Sequence, residues 1–204
     1  MTQTLPQSLL NHGSRRAVLQ RGFNIIELLV VLAIVGVLLM FGVPTMGAWI
    51  QSSQIRNAAE SIQSGLQLAR NEAVSRNTNV QFVLSSVAGG GVASDWTVNC
   101  VAPSPTCPGA GMPQTEIQKR TSAEGSANVQ VAAATTTFVF NGMGRITPAP
   151  PAAGFSIDVT NPVGGTCAAL GGPMRCLKVV ATSGGQTRMC DPALALANNP
   201  RGCS

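Results

Sequence analysis

The chain has one histidine, His12, and no tyrosine, and only 10% of its 204 residues are charged. Without histidine after residue 12, the commonest general acid/base and metal ligand is missing from almost the whole sequence. There is no C-x-x-C pair, and the cysteine intervals Cys100/Cys107, Cys167/Cys176 and Cys190/Cys203 are too wide for the usual zinc knuckle. An enzyme, a metal protein and a cofactor carrier are therefore poor readings, and a structural or binding protein is the better one. The low charge comes with 45% hydrophobic residues, whereas an average soluble chain is roughly 25% charged. That balance excludes the disordered class and points to a membrane contribution beside one ordinary domain.

Six cysteines with 22 Gly and 13 Pro indicate a loop-rich fold tied by disulfides in an oxidising compartment. Sequential pairing is the economical expectation, because each close pair brackets a loop containing Pro or Gly. The means of export lies at the N-terminus. Residues 1–21 are polar, contain Arg15, Arg16 and Arg21, and lead into GFNIIELLVVLAIVGVLLMFGVPTMGAWI. Between Gly22 and Ile55 the only charge is Glu27. An ordinary signal peptide places a small-residue cleavage site after its apolar run, and none follows here. At 1.5 Å per residue, residues 28–50 would make roughly 34 Å of helix, about the thickness of a hydrocarbon core. The arginines ahead of it predict a cytoplasmic N-terminus and a remainder on the far side, where cysteines can pair.

Glu27 is the exception within that run. A carboxylate near the end of a membrane helix costs roughly 2 to 3 kcal/mol and needs a partner or a route to water. One solution is snorkelling to the interface. The other is chemical: a cut after Gly22 would free an amine on Phe23, and the Glu27 of one helix would neutralise the N-terminus of its neighbour. Further along, Pro44 lacks an N–H, and Gly36, Gly42 and Gly47 lower helix propensity, so a kink or melted turn is expected.

The sequence RGFNIIELLVV, with Gly22 before Phe23 and Glu27 at the fifth position after the cut, resembles the type IV prepilin N-terminus and its class III signal peptide. The resemblance implies cleavage between Gly22 and Phe23 by a prepilin peptidase, methylation of the Phe23 amine, and assembly roles for Glu27 and Pro44. Asn24 and Ile25 stand where the family usually has Thr and Leu. The implied division is a leader over 1–22, a transmembrane and filament-core helix over 23–50, and a periplasmic domain over 51–204. The implied location is the bacterial inner membrane, with a single pass, followed by the pilus fibre.

Beyond Ile50 the polarity rises but helical spacing persists: Ile55, Ala58, Ala59, Ile62, Leu66, Ala69 and Ala73 recur at steps of three and four. The helix is expected to continue to about Ser75, with Gln51, Arg56, Glu60, Gln63, Gln67 and Glu72 outward. Strand-like runs then follow at 79–84, 95–101, 115–119, 128–132, 136–140, 155–160 and 175–181, separated by Gly, Pro and Ser. A long helix followed by many short strands predicts an α+β fold with an antiparallel sheet. In TFVFNGMGRITP at 137–148, Asn141, Gly142 and Gly144 suit a tight turn. This phrase resembles the strand–turn–strand signature of the GspH/FimT/FimU minor pilins, and SGGQTRMCDP at 183–192 resembles their C-terminal region.

The formal net charge is +5. Without Arg15, Arg16 and Arg21, ten basic residues face eight acidic ones. Residues 51–161 are balanced, so the excess falls at the C-terminal end, where Arg175, Lys178, Arg188 and Arg201 stand against Asp191. Such a cluster is a candidate for phosphate contact. FimT-like members are DNA receptors through a C-terminal Gly-Arg-x-Arg motif. The matching segment here is Gly185-Gln186-Thr187-Arg188, with glutamine in place of the first arginine, and no aromatic follows Phe155 to stack bases. The resemblance as a whole implies a minor pilin that primes or caps pilus assembly, with other minor and major pilins, the peptidase and the inner membrane as partners. Its alternatives are a DNA-uptake pilin and a GspH-type pseudopilin of type II secretion.

Overall fold

The computed structural model describes residues 24–86, 92–103, 105–107, 115–151 and 154–203, leaving aside the side chains of 41–45, 86, 92 and 93. The chain divides into two units, Met1–Gly42 and Val43–Ser204. Helix α1 (Ile25–Arg76) contributes to each. Among the described residues nine strands follow: β1 (Val80–Ser86), β2 (Val92–Cys100), β3 (Glu116–Arg120), β4 (Gln130–Ala133), β5 (Thr137–Phe140), β6 (Ile146–Thr147), β7 (Phe155–Thr160), β8 (Leu177–Ala181) and β9 (Thr187–Cys190). The α+β class expected from the order of helix and strands is what forms.

All seven residues of the apolar stripe in α1, from Ile55 to Ala73, are fully buried. They meet one face of an antiparallel sheet ordered β6-β5-β1-β2-β4-β7-β8-β9, with β3 paired to β2. Alternation at period two selects that face. Val80, Phe82 and Leu84 of β1 turn inward, as do Trp96 and Val98 of β2, Phe138 and Phe140 of β5, and Ile157 and Val159 of β7. Register brings them opposite one another as Phe82↔Val98, Phe82↔Phe138 and Val131↔Val159. One edge of β2 serves two partners: Val92 and Ala93 pair with β4, while residues from Trp96 to Asn99 pair with β3.

The helix approaches the sheet closely at Gly65. A Cβ there would lie 2.6 Å from Phe82 Cε2 and 3.1 Å from Trp96, so only glycine admits the two rings, whose centroids are 5.5 Å apart. The buried Trp96 indole N–H donates to Ser61 Oγ at 2.8 Å, which keeps a polar atom in the core satisfied. Burial of each large apolar side chain in such a core contributes about 1.5 to 3 kcal/mol.

At the ends of the sheet, the β5–β6 turn meets the β8–β9 turn. Ile146 N–H donates to Ser183 O, and Gly144 and Gly185, both at φ +73°, flank the Arg70 side chain. Of Asn141, Gly142 and Gly144, only Gly144 takes a positive φ. Gly142 serves a close approach instead, since a Cβ there would fall 2.5 Å from Asn77 Oδ1. Asn141 Oδ1 closes the turn by accepting from Met143 N–H and Arg145 N–H, each at 3.0 Å.

The sequence expectation differs from the structure on one helix face. Gln51, Gln63 and Gln67, expected outward, reach across to the domain. Gln51 Oε1 accepts from Asn161 Nδ2, Gln63 Nε2 donates to Thr187 O, and Gln67 Nε2 donates to Thr187 Oγ1. Asn161, which follows β7, meets Gln51, and β9, which the sequence reading left as loop, lies within reach of Gln63 and of Gln67, which stays exposed.

Candidate functional site

In the first unit, α1 begins at Ile25 with Glu27 in its first turn, where the positive end of the helix dipole favours a carboxylate. Leu28 N–H donates to Asn24 O at 3.1 Å. Over 25–40 the large apolar residues are exposed on every face of the helix, from Ile25 at 77% through Leu32 at 58% to Met40 at 77%. A helix that is apolar all round belongs in a bilayer or among other helices. Among the described residues no helix is long and apolar enough to cross a membrane. The apolar run of the sequence continues through 41–45, whose side chains lie outside the described ones. Gly22, Phe23 and the leader over 1–22 also lie outside the described residues, as does the side chain of Pro44.

In the second unit, the six cysteines join as Cys100–Cys107, Cys167–Cys176 and Cys190–Cys203. The last of these ties the C-terminal segment back to β9. Among the described residues no group of three or more His, Cys, Asp or Glu side chains is placed to hold a metal ion.

The basic residues of the C-terminal region do not form one cluster. β8 pairs with β9 through Lys178↔Cys190 and Val180↔Arg188, which puts Lys178 and Arg188 on the face opposite buried Val179. Each is engaged there. Lys178 Nζ lies 3.1 Å from Asp158 Oδ1, and Arg188 donates to Gly202 O at 3.4 Å and Cys203 O at 3.1 Å. Arg175 and Arg201 instead line a cavity of about 620 Å³, together with Arg56 and Trp49 of α1. Leu177 and Met189 add apolar surface to it. Asp191, only 3% exposed, anchors one side of the cavity: its carboxylate accepts from Arg175 Nε at 2.5 Å and from Ala193 N–H at 2.9 Å. Among the residues that line the cavity, three arginines thus stand with one acidic residue, Asp191, which already pairs with Arg175.

The helix side of this cavity was within reach of sequence reading. Trp49, Ser52, Ser53 and Arg56 stand at i, i+3, i+4 and i+7, one continuous face. The hydroxyls of Ser52 and Ser53 bond back to Ala48 O and Trp49 O, each at 2.9 Å, and so are already occupied. What spacing does not supply is the arrival of Arg175 and Arg201 opposite that face.

The family model for the type II transport protein GspH matches residues 58–185. The chain belongs to the GspH family. The match runs from the buried stripe of α1 to the β8–β9 turn of this GspH-family chain. It leaves out the exposed apolar part of the helix, β9 and most of the residues lining the cavity. Two crystal forms of the Pseudomonas aeruginosa type IV minor pilin FimU are similar in structure at 14% identity. Their TM-scores are 0.46 and 0.47, with 73% and 74% of this chain and 99% and 95% of FimU covered. The minor pseudopilin EpsH of the Vibrio cholerae type 2 secretion system is similar at 14% identity and a TM-score of 0.47, over 69% of this chain and 99% of EpsH. No curated protein matches the chain in sequence.

Proposed function

We propose that this GspH-family chain is a minor type IV pilin, a structural subunit that prepilin peptidase cleaves after Gly22 and that joins other pilins near the filament tip. The observation that carries the reading is the exposure of large apolar side chains on every face of α1 over 25–40. A single chain in water would not leave such a surface uncovered, and a bilayer followed by a bundle of like helices covers it in turn. The helix first holds the protein in the inner membrane, N-terminus cytoplasmic and domain periplasmic. After cleavage, the Phe23 amine of one subunit and Glu27 of the next set the register between helices, because a carboxylate among apolar helices needs a cationic partner. Pro44 supplies the helix with a place to bend during that transfer.

A second reading, a minor pseudopilin of type II secretion, draws on the description of the family itself. The DNA-receptor reading loses support from the geometry. Lys178 and Arg188 are engaged within the chain on one face, and Arg175 and Arg201 lie at the cavity.

The test is to shear surface filaments from cells and probe them for this chain, in parallel with strains lacking either the pilus motor or the secretion motor. Presence in filaments that disappears with the pilus motor is the expected result. Dependence on the secretion motor alone would favour the pseudopilin, and absence from every filament fraction would overturn both.

A further inference from the structure

We propose that the cavity lined by Arg56, Arg175 and Arg201 beside Trp49 binds the phosphate headgroup of an anionic phospholipid. The inference rests on the reading that 23–50 spans the membrane, and it assigns to the domain a contact that the reading does not require.

Three observations point to this occupant. The cavity is cationic, and among the described residues the side chains of Arg56 and Arg201 have no ion pair or hydrogen-bond partner, while Arg175 is held by Asp191. Planar guanidinium groups suit a phosphate, which accepts paired N–H bonds from such a fork. The cavity also stands at the right level. Trp49 is the last residue but one of the apolar run and is 68% exposed, with Met46 and Ile50 exposed nearby. Tryptophan prefers the boundary between headgroups and acyl chains, so a cavity opening at Trp49 faces the headgroup layer.

The lining is mixed in the way a lipid requires. Leu177 and Met189 offer apolar surface for a glycerol backbone, and about 620 Å³ falls within the range of roughly 300 to 1,000 Å³ typical of small-ligand sites. Of the lining, Arg175 and Leu177 lie within the segment that matches the GspH family, and Trp49, Arg56, Met189, Asp191 and Arg201 lie outside it. A DNA strand is a poorer fit, because the two remaining C-terminal cations, Lys178 and Arg188, sit on the other face of the β8–β9 hairpin.

The experiment uses the full chain, reconstituted in nanodiscs of phosphatidylcholine with and without phosphatidylglycerol, and then counts retained lipids by native mass spectrometry. Wild type is expected to retain phosphatidylglycerol in preference to phosphatidylcholine. The preference should fall about fivefold for each of Arg56→Gln and Arg201→Gln. A control that removes one positive charge elsewhere, Lys119→Gln, should leave it unchanged, and unchanged thermal unfolding of each variant excludes a folding defect. Equal retention of the two lipids by wild type, or equal loss in the control, would overturn the proposal. So would competition by free glycerol phosphate as effective as that by short-chain phosphatidylglycerol, or displacement of the lipid by duplex DNA. Failure of the chain to enter phosphatidylcholine nanodiscs at all would instead count against the membrane reading, which keeps the two claims separable.

Discussion

The two parts of α1 are both rich in apolar residues, yet they use them in opposite ways. Over 25–40 the large side chains are exposed on all faces, whereas from Ile55 to Ala73 the apolar residues occupy one stripe and are fully buried against the sheet. Total hydrophobicity does not separate these fates; the angular distribution does. A stripe with a polar back face is satisfied by one partner surface, here the inner face of the sheet, while a rod without a polar face needs partners all round. The first arrangement builds the core of a domain, and the second leaves its apolar surface open to partners.

Substitutions break this contrast in a definite order. The largest effect is expected from Glu27→Ala, which should leave membrane insertion intact and cut incorporation into filaments by roughly a hundredfold or more, since an unpaired charge in an apolar setting costs several kcal/mol. Quantitative blotting of membrane and sheared-filament fractions measures both. Within the domain, Leu66→Ala removes a fully buried side chain and should destabilise by about 2 to 5 kcal/mol, seen as a lower denaturation midpoint with the same slope. Opening the C-terminal loop with Cys190→Ser and Cys203→Ser should cost about 3 kcal/mol in chemical denaturation under non-reducing conditions. Gly65→Ala would drive a methyl group into Phe82 and should cost about 1 to 3 kcal/mol by the same assay. The smallest effect sharpens the contrast. Ile34→Ala, in the exposed part of the helix, should change domain stability by less than about 0.5 kcal/mol. A large destabilisation there would mean that the exposed rod also packs on its own domain.

Much of this was legible because it is periodic. The stripe in α1 was read residue for residue, and β1, β2, β5 and β7 fall on or near the apolar runs that announced them. β9 was not legible. Thr187, Arg188, Met189 and Cys190 carry little alternation, and they form a strand because β8 offers an open edge and Gln63 and Gln67 reach Thr187 from the helix. The cavity was half legible for the same reason. The face formed by Trp49 and Arg56 is a helical spacing, but Arg175 and Arg201 arrive only through the β8–β9 pairing and the return of the chain to β9, where Asp191 N–H donates to Arg201 O. The four C-terminal cations look like one patch along the sequence and become two sets in space, because Lys178 and Arg188 share one face of the β8–β9 pair while Arg175 and Arg201 lie in the segments that flank it.

In the proposed function, cleavage after Gly22 turns the exposed rod into a polymer contact. Intact-mass and N-terminal peptide analysis of this chain recovered from sheared filaments tests that claim most directly. The predicted result is a chain that begins at Phe23 with one added methyl group on its amine. Recovery of filament-borne chain that still carries residues 1–22 would contradict it.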